Sequence, residues 1–218
     1  MPIRTITIER EYGAGAPTIA GALADRLGWK LWDRELTAEI ARIAHVDPEA
    51  ASRCDERCDT LLHRMAKTFW RGSYERSMPM VDSGVFDTDT LVELSEQVIT
   101  RLAETGNCVI VGRGAPYFLR NRPDVFTVFL FADHDEKLRR LMHDGQSEKD
   151  AEEGIATVDR DRAAFIRQYF GLQWPDRKLY HMWINTGMGD AAAVDLILHG
   201  MSQPQRKAEV IPIKQGAK

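Results

Sequence analysis

The first 28 residues of the chain read as a strand, a glycine-rich loop and a helix. Thr5-Ile6-Thr7-Ile8 is a β-branched run that precedes the loop Arg10-Glu-Tyr-Gly-Ala-Gly-Ala-Pro-Thr18. Apolar residues at helical spacing follow, namely Ile19, Ala20, Leu23, Ala24 and Leu27. Pro17 suits the first turn of this helix, and Gly28 suits its end. A helix that begins after glycines presents unpaired N–H groups and a positive dipole end, so phosphate is the expected ligand.

The loop departs from the phosphate-binding pattern G-x-x-x-x-G-K-[ST] at several positions. With Gly15 taken as the last glycine, Arg10 replaces the first glycine and Ala16 replaces the lysine. Pro17 then separates Ala16 from the hydroxyl residue Thr18. The sequence therefore predicts a loop that is shaped for phosphate but lacks its usual cation. The alternative is that the glycines only form a tight turn between the strand and the helix.

Length and charge restrict the classes of protein to which the chain can belong. With 218 residues it can form one sizeable core, or a core with a small lid, rather than two full domains. The 29 lysines and arginines are scattered among 33 acidic residues, so no basic groove for nucleic acid is predicted. We find no apolar leader and no run of about 18 to 20 apolar residues, so we expect no membrane association and a cytoplasmic location.

The three cysteines do not predict a disulfide framework, because they are odd in number and follow no secretory signal. Cys54 and Cys58 lie one helical turn apart, and His63 follows shortly after them. A single C-x-x-x-C without a second pair falls short of a zinc site. The sequence therefore favours no metal at this cluster.

Four more apolar segments are predicted to be strands. They cover residues 29–32, 108–111, 125–131 and 180–184. Helical patterns cover 34–43, 47–70 and 88–104, and they also begin near Asp133, Ser147 and Asp190. Strands that alternate with helices imply right-handed crossovers and therefore a five-stranded parallel sheet with helices on both faces. We expect residues 3–8 in the interior of this sheet, between 108–111 and 125–131.

Polar residues follow three of the predicted strands at the point where each strand ends. Asp33 and Arg34 follow the second strand, Arg113 follows the third, and Asp133 follows the fourth. Open parallel sheets bind ligands at the carboxyl ends of their strands, so these residues and the glycine loop form one predicted cleft. An alternative role for Asp33 is the N-cap of the following helix, and the two roles are compatible.

Five motifs occur in order along the chain. They are Ile-Glu-Arg-Glu-Tyr-Gly-Ala-Gly from residue 8, Trp-Asp-Arg-Glu-Leu from residue 32, Val-Ile-Val-Gly-Arg-Gly-Ala from residue 109, Val-Asp-Arg-Asp-Arg-Ala-Ala-Phe from residue 158 and Ile-Asn-Thr from residue 184. Together they resemble the cytidylate kinase-like family, a branch of the P-loop nucleoside monophosphate kinases. The resemblance covers residues 3 to about 201.

The resemblance implies a three-layer P-loop NTPase fold with a helical lid, and it assigns roles to residues that match the family motifs. The donor phosphates of ATP would be bound by Gly13, Ala14, Gly15, Ala16, Pro17 and Thr18, with Thr18 also a ligand of Mg²⁺. A nucleoside monophosphate acceptor resembling CMP would be bound by Asp33, Arg34 and Arg113. Charge on the transferred phosphoryl group would be neutralised by Arg10, Arg160 and Arg162. For Arg160 and Arg162 the alternative is a solvated helix face paired with acids.

The same resemblance implies one kinase-like domain over residues 1–202. Within it, the Gly-, Ser-, Pro- and Met-rich segment at about 71–87 and the lid-like region at about 145–174 are expected to be mobile, since donor binding must open and close a cover. Residues 203–218 carry no periodicity and are expected to form a flexible tail.

Two departures from the family pattern leave the function open. True cytidylate kinases carry the loop lysine, here Ala16, and an aspartate where this chain has Gly114. Arg10 is the nearest cation in sequence, and its planar fork could hold two phosphate oxygens. The first hypothesis is therefore an ATP- and Mg²⁺-dependent nucleoside monophosphate kinase. The second is a nucleotide-binding regulatory protein with little kinase activity, and the third is an interaction module that packs on a partner or a second copy as a possible homodimer.

Overall fold

A computed structural model of the protein describes residues 2–33, 35, 36, 39 and 88–203. Its strands are β1 (Thr5–Arg10), β2 (Lys30–Trp32), β3 (Cys108–Val111), β4 (Val125–Phe131) and β5 (Met182–Asn185). All of them pair in parallel, in the order β2-β3-β1-β4-β5. The predicted five-stranded parallel sheet is confirmed, with β1 in its interior between β3 and β4.

Six helices are described, on both faces of the sheet. They are α1 (Ala16–Leu27), α2 (Thr88–Thr105), α3 (Ala115–Phe118), α4 (His134–His143), α5 (Glu148–Phe170) and α6 (Asp190–Ser202). Short 3₁₀ turns at Arg177–Leu179 and Thr186–Met188 flank β5. The last strand begins at Met182, two residues later than the sequence indicates. Tyr180 precedes the strand because its side chain packs into an aromatic cluster, where its hydroxyl lies 3.3 Å from that of Tyr117.

The alternation of side chains along β1 divides the core into two layers. Ile6 and Ile8 pack in one buried cluster with α1 and α6, as do Val128 and Leu130 of β4. Successive side chains in a strand point to opposite faces, so Glu9 lies on the other face, and it is fully buried there. A carboxylate in such a place needs cationic partners, which determines how the carboxyl end of β1 is built.

Helix α5 is anchored to the second face of the sheet by its C-terminal half. Phe165, Ile166 and Phe170 are buried in a cluster with Tyr117 and Phe129. Phe170 stacks on Tyr117 with ring centroids 4.8 Å apart. The lid-like region at about 145–174 therefore contains a 23-residue helix with a packed end. Whether it moves on ligand binding stays a prediction.

Several predictions fall on parts of the chain that the structure does not describe. They concern Arg34, the Cys54, Cys58 and His63 cluster, the prediction of mobility for 71–87 and nearly all of the predicted tail at 203–218. Cys108, in contrast, is described and is a buried free thiol in β3. Among the described helices, none has the length and apolar character needed to cross a membrane.

Candidate functional site

The glycine loop connects the central strand β1 to α1 and has the backbone geometry of a tight anion-binding turn. Gly13 and Gly15 have φ values of 77° and 76°, in the left-handed region that only glycine adopts without strain. Gly15 is the N-cap of α1, and proline occupies the first turn. Ala16, at the position of the missing lysine, is buried in the core, whereas Thr18 is exposed. The loop thus presents the N-terminus of a 12-residue helix at the carboxyl edge of the sheet.

A cation from another helix lies against the last glycine of the loop. A Cβ atom at Gly15 would lie 2.1 Å from Nη1 of Arg140 on α4. This guanidinium donates to Asp190 Oδ1 and Glu136 Oε1, both at 2.7 Å, and to the carbonyl oxygen of Thr186 at 3.0 Å. Burial lowers the pKa of Arg140, but the hydrogen bonds to Asp190 and Glu136 outweigh it and leave the pKa raised. Arg140 therefore stays charged beside the loop.

A second cation of α4 lies beside the first glycine of the loop. The Cβ atom of Lys137 would be 3.0 Å from a Cβ at Gly13, and its ammonium lies 2.5 Å from Oε2 of Glu11. Lys137 and Arg140 are three residues apart, so they share one face of the helix. That face of α4 lines the loop with two positive side chains.

The guanidinium of Arg10 is buried at the carboxyl ends of β1 and β3. Its Nη1 donates to Oε1 of Glu9 at 3.3 Å, and Glu9 also accepts the backbone N–H of Arg10 at 3.1 Å. A Cβ atom at Gly112 would lie 2.2 Å from the same Nη1, so glycine there leaves room for the guanidinium. The close approach joins the carboxyl ends of β1 and β3.

Arg162 joins α5 to the same place. Its Nη1 donates to the carbonyl oxygen of Arg10 at 2.7 Å and to Oδ1 of Asp159 at 2.6 Å, while its Nε lies 3.9 Å from Glu9. Burial raises the pKa of Asp159, although Arg162 and the backbone N–H of Tyr12 act in the opposite direction. The buried side chain of Arg162 therefore links α5 to the end of β1 by a hydrogen bond.

Asp33 and Arg113 form the remaining part of the edge. Asp33 is 2% exposed, and its carboxylate oxygens accept no hydrogen bond from the described residues. Arg113 donates to the carbonyl oxygen of Asp33 at 3.4 Å. Burial lowers the pKa of Arg113 to about 10, with Asp33 raising it and Arg10 lowering it further. The φ of Arg113 is 53°, between two glycines of positive φ, which is a strained backbone of the kind found at ligand sites.

The structure brings most of the predicted site residues together, with one clear exception. Arg10, Asp33, Arg113 and Arg162 lie at one edge of the sheet beside the loop. Arg160 does not join them, because its side chain is 67% exposed on α5 and lies 3.6 Å from Asp161. Of the two arginines predicted for the lid, Arg162 is thus buried and bonded at this edge and Arg160 faces solvent, and their role at the phosphoryl group stays a prediction.

Sequence reasoning did not assign a role to Lys137, Arg140 or Asp190. One signal was available, since α4 follows β4, the neighbour of β1, and its basic residues therefore begin near the loop. The partner carboxylate of Asp190 had no such signal, because it comes from a helix 50 residues further along the chain.

The described residues offer few ligands for a metal ion of their own. No group of three His, Cys, Asp or Glu side chains that could hold a metal occurs in the described ranges. The exposed hydroxyl of Thr18, in the first turn of α1, fits one Mg²⁺ ligand, and triphosphate oxygens would have to supply others.

Solved structures with similar folds were compared with the chain. An uncharacterized protein from Eubacterium ventriosum has 22% identity and a TM-score of 0.66, and the match covers 92% of this chain and 99% of that protein's chain. Shikimate kinase from Acinetobacter baumannii has 19% identity and a TM-score of 0.48, covering 90% of each chain. Deoxyadenosine kinase from M. mycoides, with bound dATP, has 13% identity and a TM-score of 0.46, and the match covers 91% of this chain and 100% of that chain.

A search of curated proteins found no match. The model of the cytidylate kinase-like family, in contrast, matches residues 5–188, most of the sheet and its helices. The chain belongs to the cytidylate kinase-like family.

Proposed function

We propose that the protein binds the phosphates of ATP at its glycine loop and transfers the terminal phosphoryl group to a nucleoside monophosphate resembling CMP. The observation that carries this proposal is the loop itself, where Gly13 and Gly15 hold left-handed backbone at the N-terminus of α1. Such a turn aims backbone N–H groups and a helix dipole at a bound anion. Family membership supports the same reaction class.

The acceptor is proposed to bind beside Asp33 and Arg113. Arg113 is a buried cation whose guanidinium can pair bidentately with a monophosphate, and Asp33 is a buried carboxylate that can accept hydrogen bonds from a ligand. Arg34, the third residue proposed for the acceptor, lies outside the described part of the chain. Burial at this edge would strengthen both contacts, because the local dielectric constant is low.

The loop residues Gly13 to Thr18 are proposed to hold Mg²⁺·ATP, with the Thr18 hydroxyl as one ligand of the ion. Bound Mg²⁺ would supply charge neutralisation between the donor oxygens. The protein's own part is positioning, since phosphoryl transfer needs little covalent chemistry from side chains.

A second candidate is a nucleotide-binding regulatory protein with little turnover. It is favoured by Ala16 and Pro17, which remove a lysine and one backbone N–H from the loop. It is also favoured by the engagement of the nearby cations Lys137 and Arg140 with acidic side chains. Loss of a charge that faces the transferring group typically costs about 3 to 4 kcal/mol in the transition state.

The two candidates differ in turnover and not in binding. We would measure ADP release from ATP over a panel of nucleoside monophosphates, beside ligand-induced shifts in melting temperature. Turnover with one pyrimidine monophosphate supports the kinase, whereas a shift with ATP and no turnover with any acceptor supports the regulatory protein. Absence of both would refute the proposal.

Thr18→Val supplies a sharp variant for this assay, because Thr18 is exposed and its loss should not affect folding. We expect it to reduce turnover and the effect of Mg²⁺ on ATP binding. Thr157→Val is a matched control, since this Thr hydroxyl donates within α5 to the carbonyl oxygen of Glu153 and takes no part in the proposed site.

A further inference from the structure

The guanidinium of Arg140 and the carboxylate of Asp190 together face the last glycine of the loop. A Cβ atom at Gly15 would lie 2.1 Å from Nη1 of Arg140 and 3.5 Å from Oδ1 of Asp190. Gly15 directly precedes Ala16, the position at which the loop lacks its lysine. Arg140 and Asp190, which contact each other at 2.7 Å, thus lie next to the position at which the loop lacks its lysine.

Arg140 has capacity for a ligand beyond its present contacts. A guanidinium carries five N–H donors, and three of them bind Glu136, Asp190 and the carbonyl oxygen of Thr186. Among the described residues, two N–H groups on the η nitrogens have no recorded acceptor. Those nitrogens are also the ones that a phosphate can bind with two oxygens at once.

The charges around Arg140 cancel in the protein without ligand. Among the described residues, Glu136 contacts both Arg139 and Arg140, and Asp190 contacts Arg140, so two acids face two arginines. An arriving phosphate would be attracted by Arg140 and repelled by Asp190. Asp190 is also 30% exposed, so its carboxylate can turn towards solvent.

We propose, on the basis of the function proposed above, that Arg140 supplies the phosphate-binding cation that the loop sequence lacks, and that Asp190 holds it in place until triphosphate takes over one of its bonds. Arg140 is then a nucleotide-binding residue. Asp190 is a positioning residue that acts through Arg140 and lowers the affinity of the loop for anions.

Neighbouring cations fit this role less well. Arg139 is exposed, bonds to Glu136 through two nitrogens and is not among the nearest neighbours of Gly15. Lys137 lies on the Gly13 side, where Glu11 takes its ammonium. Only Arg140, among these three residues of α4, combines contact with Gly15 and remaining N–H donors.

The test is calorimetric titration of the full chain with ATP and, separately, with inorganic tripolyphosphate, which has no base or sugar. We expect Arg140→Gln to weaken both ligands roughly tenfold to a hundredfold, the range for hydrogen bonds to a charged group. Asp190→Asn should instead strengthen both by roughly twofold to fivefold, because it removes a like charge and keeps a polar side chain. A role of Asp190 in structure alone cannot produce a gain in affinity.

Two further variants, a double variant and a neighbouring control, complete the test. The double variant Arg140→Gln/Asp190→Asn should show no gain over Arg140→Gln, since the effect of Asp190 passes through Arg140. Arg139→Gln, a neighbouring arginine of the same helix, should stay within about twofold of wild type. If Arg140→Gln fails to fold, the gain or loss of affinity in Asp190→Asn decides the question alone.

The same titrations distinguish failure of the proposed function from failure of the inference about Arg140. Wild type that binds neither ATP nor tripolyphosphate would overturn both the proposed function and this inference. Wild type that binds ATP, with Arg140→Gln unchanged or Asp190→Asn not strengthened, would overturn the inference and leave the proposed function intact. Weakening of ATP but not of tripolyphosphate would place Arg140 at the nucleoside, which also overturns a phosphate role.

Discussion

The carboxylate of Asp159 accepts the backbone N–H of Tyr12 through both of its oxygens, at 3.0 and 3.1 Å. Tyr12 lies in the glycine loop, and Asp159 lies on α5, the helix of the lid-like region. Arg162 adds a bond from the same helix to the carbonyl oxygen of Arg10. Helix α5 is thus bonded to the backbone on both sides of Glu11, so any movement of its middle turns must act on the loop.

Two arginines of α5 should differ strongly in their contribution to stability. Arg162 is 6% exposed and pairs with Asp159, so Arg162→Met leaves the carboxylate of Asp159 without this cation and removes the more distant of two arginines near Glu9. We expect a loss of about 3 to 5 kcal/mol in the free energy of unfolding, measured by urea denaturation. Arg160→Met, two residues away on the exposed face, should change it by less than about 0.5 kcal/mol. Equal losses would contradict this arrangement.

Two glycines near the start of α1 should respond in opposite directions to alanine. Gly15 has a φ of 76°, and its Cβ would displace the end of the Arg140 side chain, so Gly15→Ala should cost about 1 to 2 kcal/mol from backbone strain. Gly21 lies inside the helix with open space around it, so Gly21→Ala should stabilise the protein by about 0.5 to 1 kcal/mol. Thermal unfolding of both variants measures the contrast, and a stabilised Gly15→Ala would argue against the loop geometry.

The sheet could be predicted from the sequence because its signals are local. The run Cys108–Val111 is apolar throughout, as a strand covered on both faces requires, and the loop glycines stand directly before the periodic residues of α1. The second strand has only three residues, but it could still be predicted because the polar residue Asp33 follows it directly.

The charged contacts of the site could not be predicted in the same way, because they join residues far apart in the chain. Tyr12 and Asp159 are 147 positions apart, and their contact depends on the side of the sheet on which α5 packs. Arg160 and Arg162 are two residues apart on one helix, so their side chains leave it in different directions, and their joint action on the phosphoryl group stays a prediction.

The protein should become less stable as pH is lowered, because of one buried histidine, His181. Nδ1 of His181 accepts the backbone N–H of Thr127 at 3.0 Å and lies 2.7 Å from the Thr127 hydroxyl. Burial lowers the pKa of His181 in the folded protein below its ordinary 6.5. The unfolded chain therefore binds this proton more tightly, so the contribution is complete above about pH 6.5 and is lost as pH falls towards the folded pKa.

The measurement is the free energy of unfolding of wild type and His181→Phe between pH 8 and pH 5.5. Phenylalanine keeps a ring next to Phe126, on which His181 stacks at 5.0 Å, but it cannot be protonated. We expect wild type to lose stability relative to this variant as pH falls. A difference that stays constant over this interval would show that His181 does not titrate between the two states.

Arg10 and Arg140 are alternative candidates for the cation that binds phosphate at the glycine loop. The sequence hypothesis holds that Arg10→Ala weakens ATP binding by about 1.5 to 3 kcal/mol with the fold intact. In the structure the Arg10 guanidinium is buried, bonds to Glu9 and lies where glycine at 112 leaves it room. Its removal would leave Glu9 with the backbone N–H of residue 10 and, among the described residues, with the more distant arginine Arg162.

We therefore expect Arg10→Ala to reduce the free energy of unfolding by about 3 kcal/mol, as for other buried pairs that lose one partner. ATP affinity of the remaining folded protein should stay within about threefold of wild type, because the guanidinium is buried and bonded to Glu9. Arg4→Ala is the control at the opposite end of β1, where an exposed arginine bonds to the carbonyl oxygen of Thr105. Urea denaturation and calorimetric titration of the three proteins decide the matter. A large loss of ATP affinity with unchanged stability would assign the phosphate-binding role to Arg10 instead.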